Sequence, residues 1–142
     1  MLFGAAFFCD VSFADACNTT LSQISQTAEL AQTKQVEAKT ITQYSSDSNM
    51  TLSVGCTVCM PNIAVTWDGP TPDDAFNDLV GTAGNLVTQR PATEVVKFSK
   101  QCRQAALKDD SEIATIERKG MAIECQAFER DGGGTTITVF AE

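Results

Sequence analysis

The side chains able to do chemistry in this chain are thiols, carboxylates and amines, because none of its 142 residues is a histidine. That absence removes the Ser-His-Asp triad, the Cys-His dyad, every histidine-ligated metal site and the imidazole pH switch together. Most of the remaining interest lies in six cysteines. Cys56-Thr57-Val58-Cys59 is a CxxC pair. A redox enzyme sets that pair at a helix N-terminus, where the dipole lowers the first thiol's pKa. Here the flanking residues alternate as a strand does, and no helix signal follows Cys59. Residues three apart in a strand point to opposite faces, so a bridge within the pair needs a local turn. Structural cysteines are the preferred reading over redox catalysis. A four-thiolate zinc site from Cys56, Cys59, Cys102 and Cys125 would want a second short-spaced pair, whereas Cys102 and Cys125 stand 23 residues apart.

The other chemical groups have simple structural explanations. Asp131-Gly132-Gly133-Gly134 could cradle an anion on its backbone N–H groups, but it lacks the Lys-Ser/Thr and the helix of a P-loop. Three glycines between two strands read as a hairpin loop. Asp73, Asp74 and Asp78 open a helix, where capping and the dipole account for them; Asp109, Asp110 and Glu112 fall in a connector. Neither acidic set shows the alternating oxygen-ligand loop of a calcium motif. Trp67 and Tyr44, the single Trp and Tyr, read as core and linker. No catalytic, cofactor-binding or metal-binding residue is assigned, and no cofactor is implied.

Charge and cysteine usage point to a compartment. Ten Lys and Arg stand against 18 Asp and Glu, a net charge of -8, which argues against general affinity for nucleic-acid phosphates or anionic lipid. The cysteine content fits an oxidising environment. Residues 1–16, MLFGAAFFCDVSFADA, read as a secretory leader: an apolar run and then an Ala14-Asp15-Ala16 cleavage pattern. Two features weaken it, since no Lys or Arg precedes the run and Asp10 interrupts it; the competing reading is an N-terminal apolar arm. The run is too short to span a bilayer. The expected localisation is secreted or periplasmic.

The elements that would position these residues follow from hydrophobic spacing. A weak, alanine-rich helix is expected from Asn18 to about Lys39, then a polar linker from Gln43 to Asn49. The stretch Thr51–Trp67 reads as a hairpin turning at Pro61-Asn62, with Val58 opposite Val65 and Cys56 opposite Trp67. Helices are expected over Pro72–Gln89, capped at Thr71, and over Ala92–Lys108, with Val95, Phe98, Cys102 and Ala105 on one face. Gly81 and Gly84 inside the first of these predict close packing. The last residues read as a three-stranded meander, Glu112–Arg118, Met121–Glu129 and Thr135–Ala141. Ile116 would face Ile123, Ala114 would face Cys125, Cys125 would face Val139 and Ala127 would face Ile137.

The expected fold is a single α+β domain over residues 17–142, a helical layer on an antiparallel sheet, with the Thr51–Trp67 hairpin joining the meander's edge or forming a second sheet. Cys102 and Cys125 both look into the layer between helix and sheet, which predicts a bridge between them. Cys17 would then pair with Cys56 or Cys59, leaving the other of those two free. The expected function is a cysteine-stabilised, non-catalytic binding or assembly module whose partner is a protein, with a homo-oligomer or larger assembly as one form of it. The alternatives are a structural subunit of a particle, fibre or complex, and a small carboxylate- or thiol-dependent enzyme.

Overall fold

The computed structural model describes residues 31–35, 41–45, 50–55 and 62–142. Five strands form the body of one antiparallel sheet: β3 (Met50–Gly55), β4 (Asn62–Asp68), β5 (Ile113–Arg118), β6 (Met121–Phe128) and β7 (Gly134–Ala141). Backbone pairing extends it through β1 (Ala31–Gln35) and β2 (Ile41–Ser45), giving the order β1-β2-β3-β4-β7-β6-β5. The helices α1 (Asp74–Thr88) and α2 (Ala92–Lys108) lie between β4 and β5 in the chain and pack on one face of the sheet. The α+β expectation holds. The hairpin joins the meander, because β4 pairs with β7 along its whole length.

Alternation sorts the strands into two faces. Leu52, Val54, Ile63, Val65, Ile123, Cys125, Ile137 and Val139 point towards the helices and are buried. Thr66, Glu117, Glu124 and Gln126 point to solvent and are exposed, with the half-buried Thr136 and Thr138 beside them. Each large inner side chain contributes roughly 1.5–3 kcal/mol by leaving water.

Two registers differ from expectation. Leu52 faces Val65 and Met50 faces Trp67, so the β3–β4 hairpin pairs upstream of the expected residues. The cause is a long connection after Gly55 in place of a tight turn at Pro61-Asn62. Cys56 and Val58 lie outside the described residues. At β6–β7, Cys125 faces Ile137 and Ile123 faces Val139, with Gly134 paired in the strand opposite Phe128. That shift is by two residues, so the inner face is unchanged. The β5–β6 register, Ile116 with Ile123 and Ala114 with Cys125, is as expected.

The expected first helix is contradicted at Ala31–Gln35, which pairs as β1 with β2, while 18–30 and 36–39 lie outside the described residues. The expected linker contributes its residues Gln43–Ser45, including Tyr44, to β2. An alanine-rich helix face was a weak signal, because alanine buries little apolar surface, and pairing with a ready sheet edge outweighs it.

The helices start and stop for local reasons. Asp73 caps α1 in place of Thr71, its carboxylate accepting from the Phe76 N–H at 3.0 Å. Gln89 ends the helix in the left-handed region at φ 63°, its N–H donating to the Asn85 carbonyl. On α2 the buried stripe is Val95, Ser99, Cys102 and Ala106. Ala105 is exposed and Phe98 is half-buried, because a serine that reads as polar takes the central position. Phe98 instead packs at the rim under the Arg118 guanidinium, 4.6 Å from its ring centre.

The two helices meet at the glycines. A Cβ on Gly81 would lie 2.8 Å from Val96 Cγ2, and one on Gly84 would lie 2.6 Å from Val95 Cγ1. The Gly84→Ala substitution therefore sets two effects against each other. Helix propensity favours alanine by about 1 kcal/mol, whereas overpacking costs about 1–3 kcal/mol. We expect a net loss of stability in chemical denaturation, and a more stable variant would show that the helices are not in close contact at this point.

Candidate functional site

Of the five candidate bridging cysteines, two are brought together. Cys102 on α2 and Cys125 on β6 are bonded, with Sγ atoms 2.01 Å and Cα atoms 5.9 Å apart. The helical period of α2 turns Cys102 inward, and the alternation of β6 turns Cys125 to the same layer; both are fully buried. Cys17, Cys56 and Cys59, and with them the CxxC pair, lie outside the described residues. Bridging occupies two of the thiols a zinc site would need. Among the described residues no group of acids and thiols gathers as metal ligands do.

The glycine-rich loop is a hairpin connection. It forms a single 3-10 turn, Arg130–Gly132, and Gly133 follows at φ 88°. A Cβ on Gly133 would come within 2.7 Å of the Gly69 carbonyl oxygen and the Pro70 Cα, so the loop needs glycine to pass beneath residues 69–70. The acids have local duties. Glu112 takes a two-pronged ion pair from Arg130, at 2.9 and 3.1 Å, and this pairing raises the Arg130 pKa. The Ser111 hydroxyl and N–H both donate to Asp109 and hold its carboxyl below its usual range. Trp67 packs edge-on against Phe76, with ring centres 6.2 Å apart.

Two surface features remain. The first is the β5 edge. Glu112 O accepts from Ala127 N, so the alternation of an antiparallel ladder turns the backbone groups of Ile113, Thr115 and Glu117 away from β6. The Ile113 N–H donates to Ser111 Oγ at 3.2 Å, and Arg118 donates to the Glu117 carbonyl at 2.8 Å. Both ends of the edge are thus capped by side chains, leaving Thr115 at its centre. Ile113, 45% exposed, is the one exposed large hydrophobic among the described residues.

The second is a cleft of about 310 Å³ between the start of α1 and the second half of α2, lined by Thr71, Asp74, Asn77, Lys100, Arg103 and Gln104, among others. Arg103 is set by a hydrogen bond from its Nε to Thr135 Oγ1 at 3.0 Å, and Thr135 is only 1% exposed. Lys100 and Arg103 share a face of α2 by their spacing of three. Sequence reading missed this cleft. The spacing of the two cations was visible, but the opposition of Asp74 depends on how α1 lies on α2.

No protein-family model, curated protein or solved structure matches this chain. Among the described residues no helix is long and apolar enough to cross a membrane.

The Cys102–Cys125 bridge closes a loop of about 24 residues, worth about 3 kcal/mol by the chain-entropy relation. Non-reducing peptide mapping should recover a peptide joining the two segments, and Cys102→Ala with Cys125→Ala should lower unfolding stability by about that amount. Two free thiols in the mapped protein would refute the bridge.

Proposed function

We propose that this chain is a secreted or periplasmic, cysteine-stabilised, non-catalytic binding or assembly module that meets a protein partner along the β5 edge and the adjoining solvent face of the sheet. The observation that carries this reading is Ile113, a large apolar side chain left in solvent at the sheet's terminal strand. Around it lie Thr115, Gln126 and Thr136, a polar surround of the kind that rims an apolar contact. An extended partner segment could bond the outward backbone of Thr115 while covering Ile113. The capped ends limit such pairing to one short register and discourage indiscriminate strand addition. The buried bridge supports an oxidising compartment.

A photo-crosslinking residue in place of Ile113, with one in place of the exposed Gln101 on α2 as control, tests the reading in cells that make the protein. We expect a discrete crosslinked protein product from position 113 and none from position 101. Ile113→Lys, which puts a charge where the apolar contact should form, should weaken that association at least about tenfold without changing the thermal midpoint. No product at 113, or equal products at both positions, would overturn the proposed surface. Native mass of the complex then separates a limited complex from the repeated assembly of a structural subunit.

A further inference from the structure

We infer that the cleft between α1 and α2 is a binding site for a small zwitterion of the amino-acid type, with its carboxylate on Arg103 and Lys100 and its ammonium group on Asp74. The cleft opens on the helical side of the sheet, so this inference stands independently of the β5 surface.

Three observations converge on it. First, the local charge opposes that of the whole. The chain carries -8, yet from Lys97 to Lys108 there are four cations and no acid. An anion approaching this acidic protein finds its attraction here. Second, Arg103 is already oriented. Its Nε is engaged by the buried Thr135 hydroxyl, so the side chain is fixed without using its two Nη groups, which have no hydrogen-bond partner among the described residues. A guanidinium held in this way presents the forked donor pair that suits a carboxylate, and little freedom remains to be lost when a ligand binds. Third, Asp74 lines the same cleft, yet no ion pair joins it to Lys100 or Arg103 among the described residues, whose ion pairs involve Arg90 and Arg130. Opposite charges that share a cleft without neutralising one another are complementary to a ligand carrying both signs.

The α1 terminus does not supply the site. Its Phe76 N–H is taken by the Asp73 carboxylate. Asp74 also selects against a multiply charged anion such as phosphate, which would meet like charge at the rim. Asn77 lines the same cleft and donates through Nδ2 to the Asp73 carbonyl, which leaves its Oδ1 as a further acceptor for ammonium hydrogens. A volume of about 310 Å³ admits a small amino acid and excludes a folded polymer.

The test is titration of the full oxidised chain with glycine, L-alanine, sodium acetate and inorganic phosphate, followed by the Arg103 Nε–H resonance in NMR. Glycine or L-alanine should shift that resonance saturably, acetate should bind at least about tenfold more weakly, and phosphate should not compete. Asp74→Asn should bring the amino acids down to the affinity of acetate. Lys100→Ala, at an exposed position, should weaken amino acids and acetate alike. Arg103→Lys keeps the charge but loses the fork and the Thr135 bond, and should weaken every carboxylate at least about tenfold. No saturable shift with either amino acid, phosphate binding at least as tight as theirs, or unchanged discrimination in Asp74→Asn would each overturn the inference. A response to acetate equal to that of glycine would show a plain carboxylate site, such as one for a peptide's C-terminus, and would overturn the zwitterion assignment.

Discussion

The structure depends on covering one face of an antiparallel sheet. Strands β3, β4, β7 and β6 turn a continuous row of Leu, Val, Ile and Met towards the helices, and that row is stable only if something apolar lies across it. The two helices supply the cover, and they can do so side by side only because Gly81 and Gly84 let α2 come close. The Cys102–Cys125 bond then joins the cover to the middle of the meander. A small domain buries a modest fraction of its surface, and a covalent tie between its layers limits how far the unfolded chain can expand.

The features that matter for binding follow from this one-sided design. Because the helices occupy one face, the other face keeps a polar, threonine-bearing surface, with Thr66 and Thr136 in hydroxyl contact at 3.3 Å. Because the sheet stays open, β5 remains an edge, and the chain manages it with side-chain caps from Ser111 and Arg118. Because α2 must bury Val95, Ser99, Cys102 and Ala106, its opposite side is left to carry cations. The cleft at Arg103 and the patch at Ile113 are therefore two consequences of the same layer arrangement, on opposite sides of the sheet.

Helices α1 and α2 were legible in the sequence because their signals are local. The spacing of Phe76, Leu79, Val80, Ala83 and Val87 states which side is buried, and Pro91 divides the two helices. The β5–β6 register was equally legible, since a two-residue turn at Lys119-Gly120 leaves little freedom. Looser connections carried less information. The loop after Phe128 could pair the strands in two registers that bury the same residues, so hydrophobic alternation could not choose between them. The close approach of Gly133 to residues 69–70 chooses.

What the sequence determined by itself was therefore most of the inward-facing residues, Ser99 and Ala106 of α2 excepted, and with them the meeting of Cys102 and Cys125, because helical period and strand alternation are properties of the chain a few residues at a time. Tertiary structure decided what no local pattern contains. It drew Ala31–Gln35 and Ile41–Ser45 into the sheet, where pairing with a neighbouring strand outweighs a weak helical preference. It also set Asp74 across a cleft from Lys100 and Arg103, since the facing of residues 26 or more positions apart depends on how α1 and α2 lie against each other on the sheet.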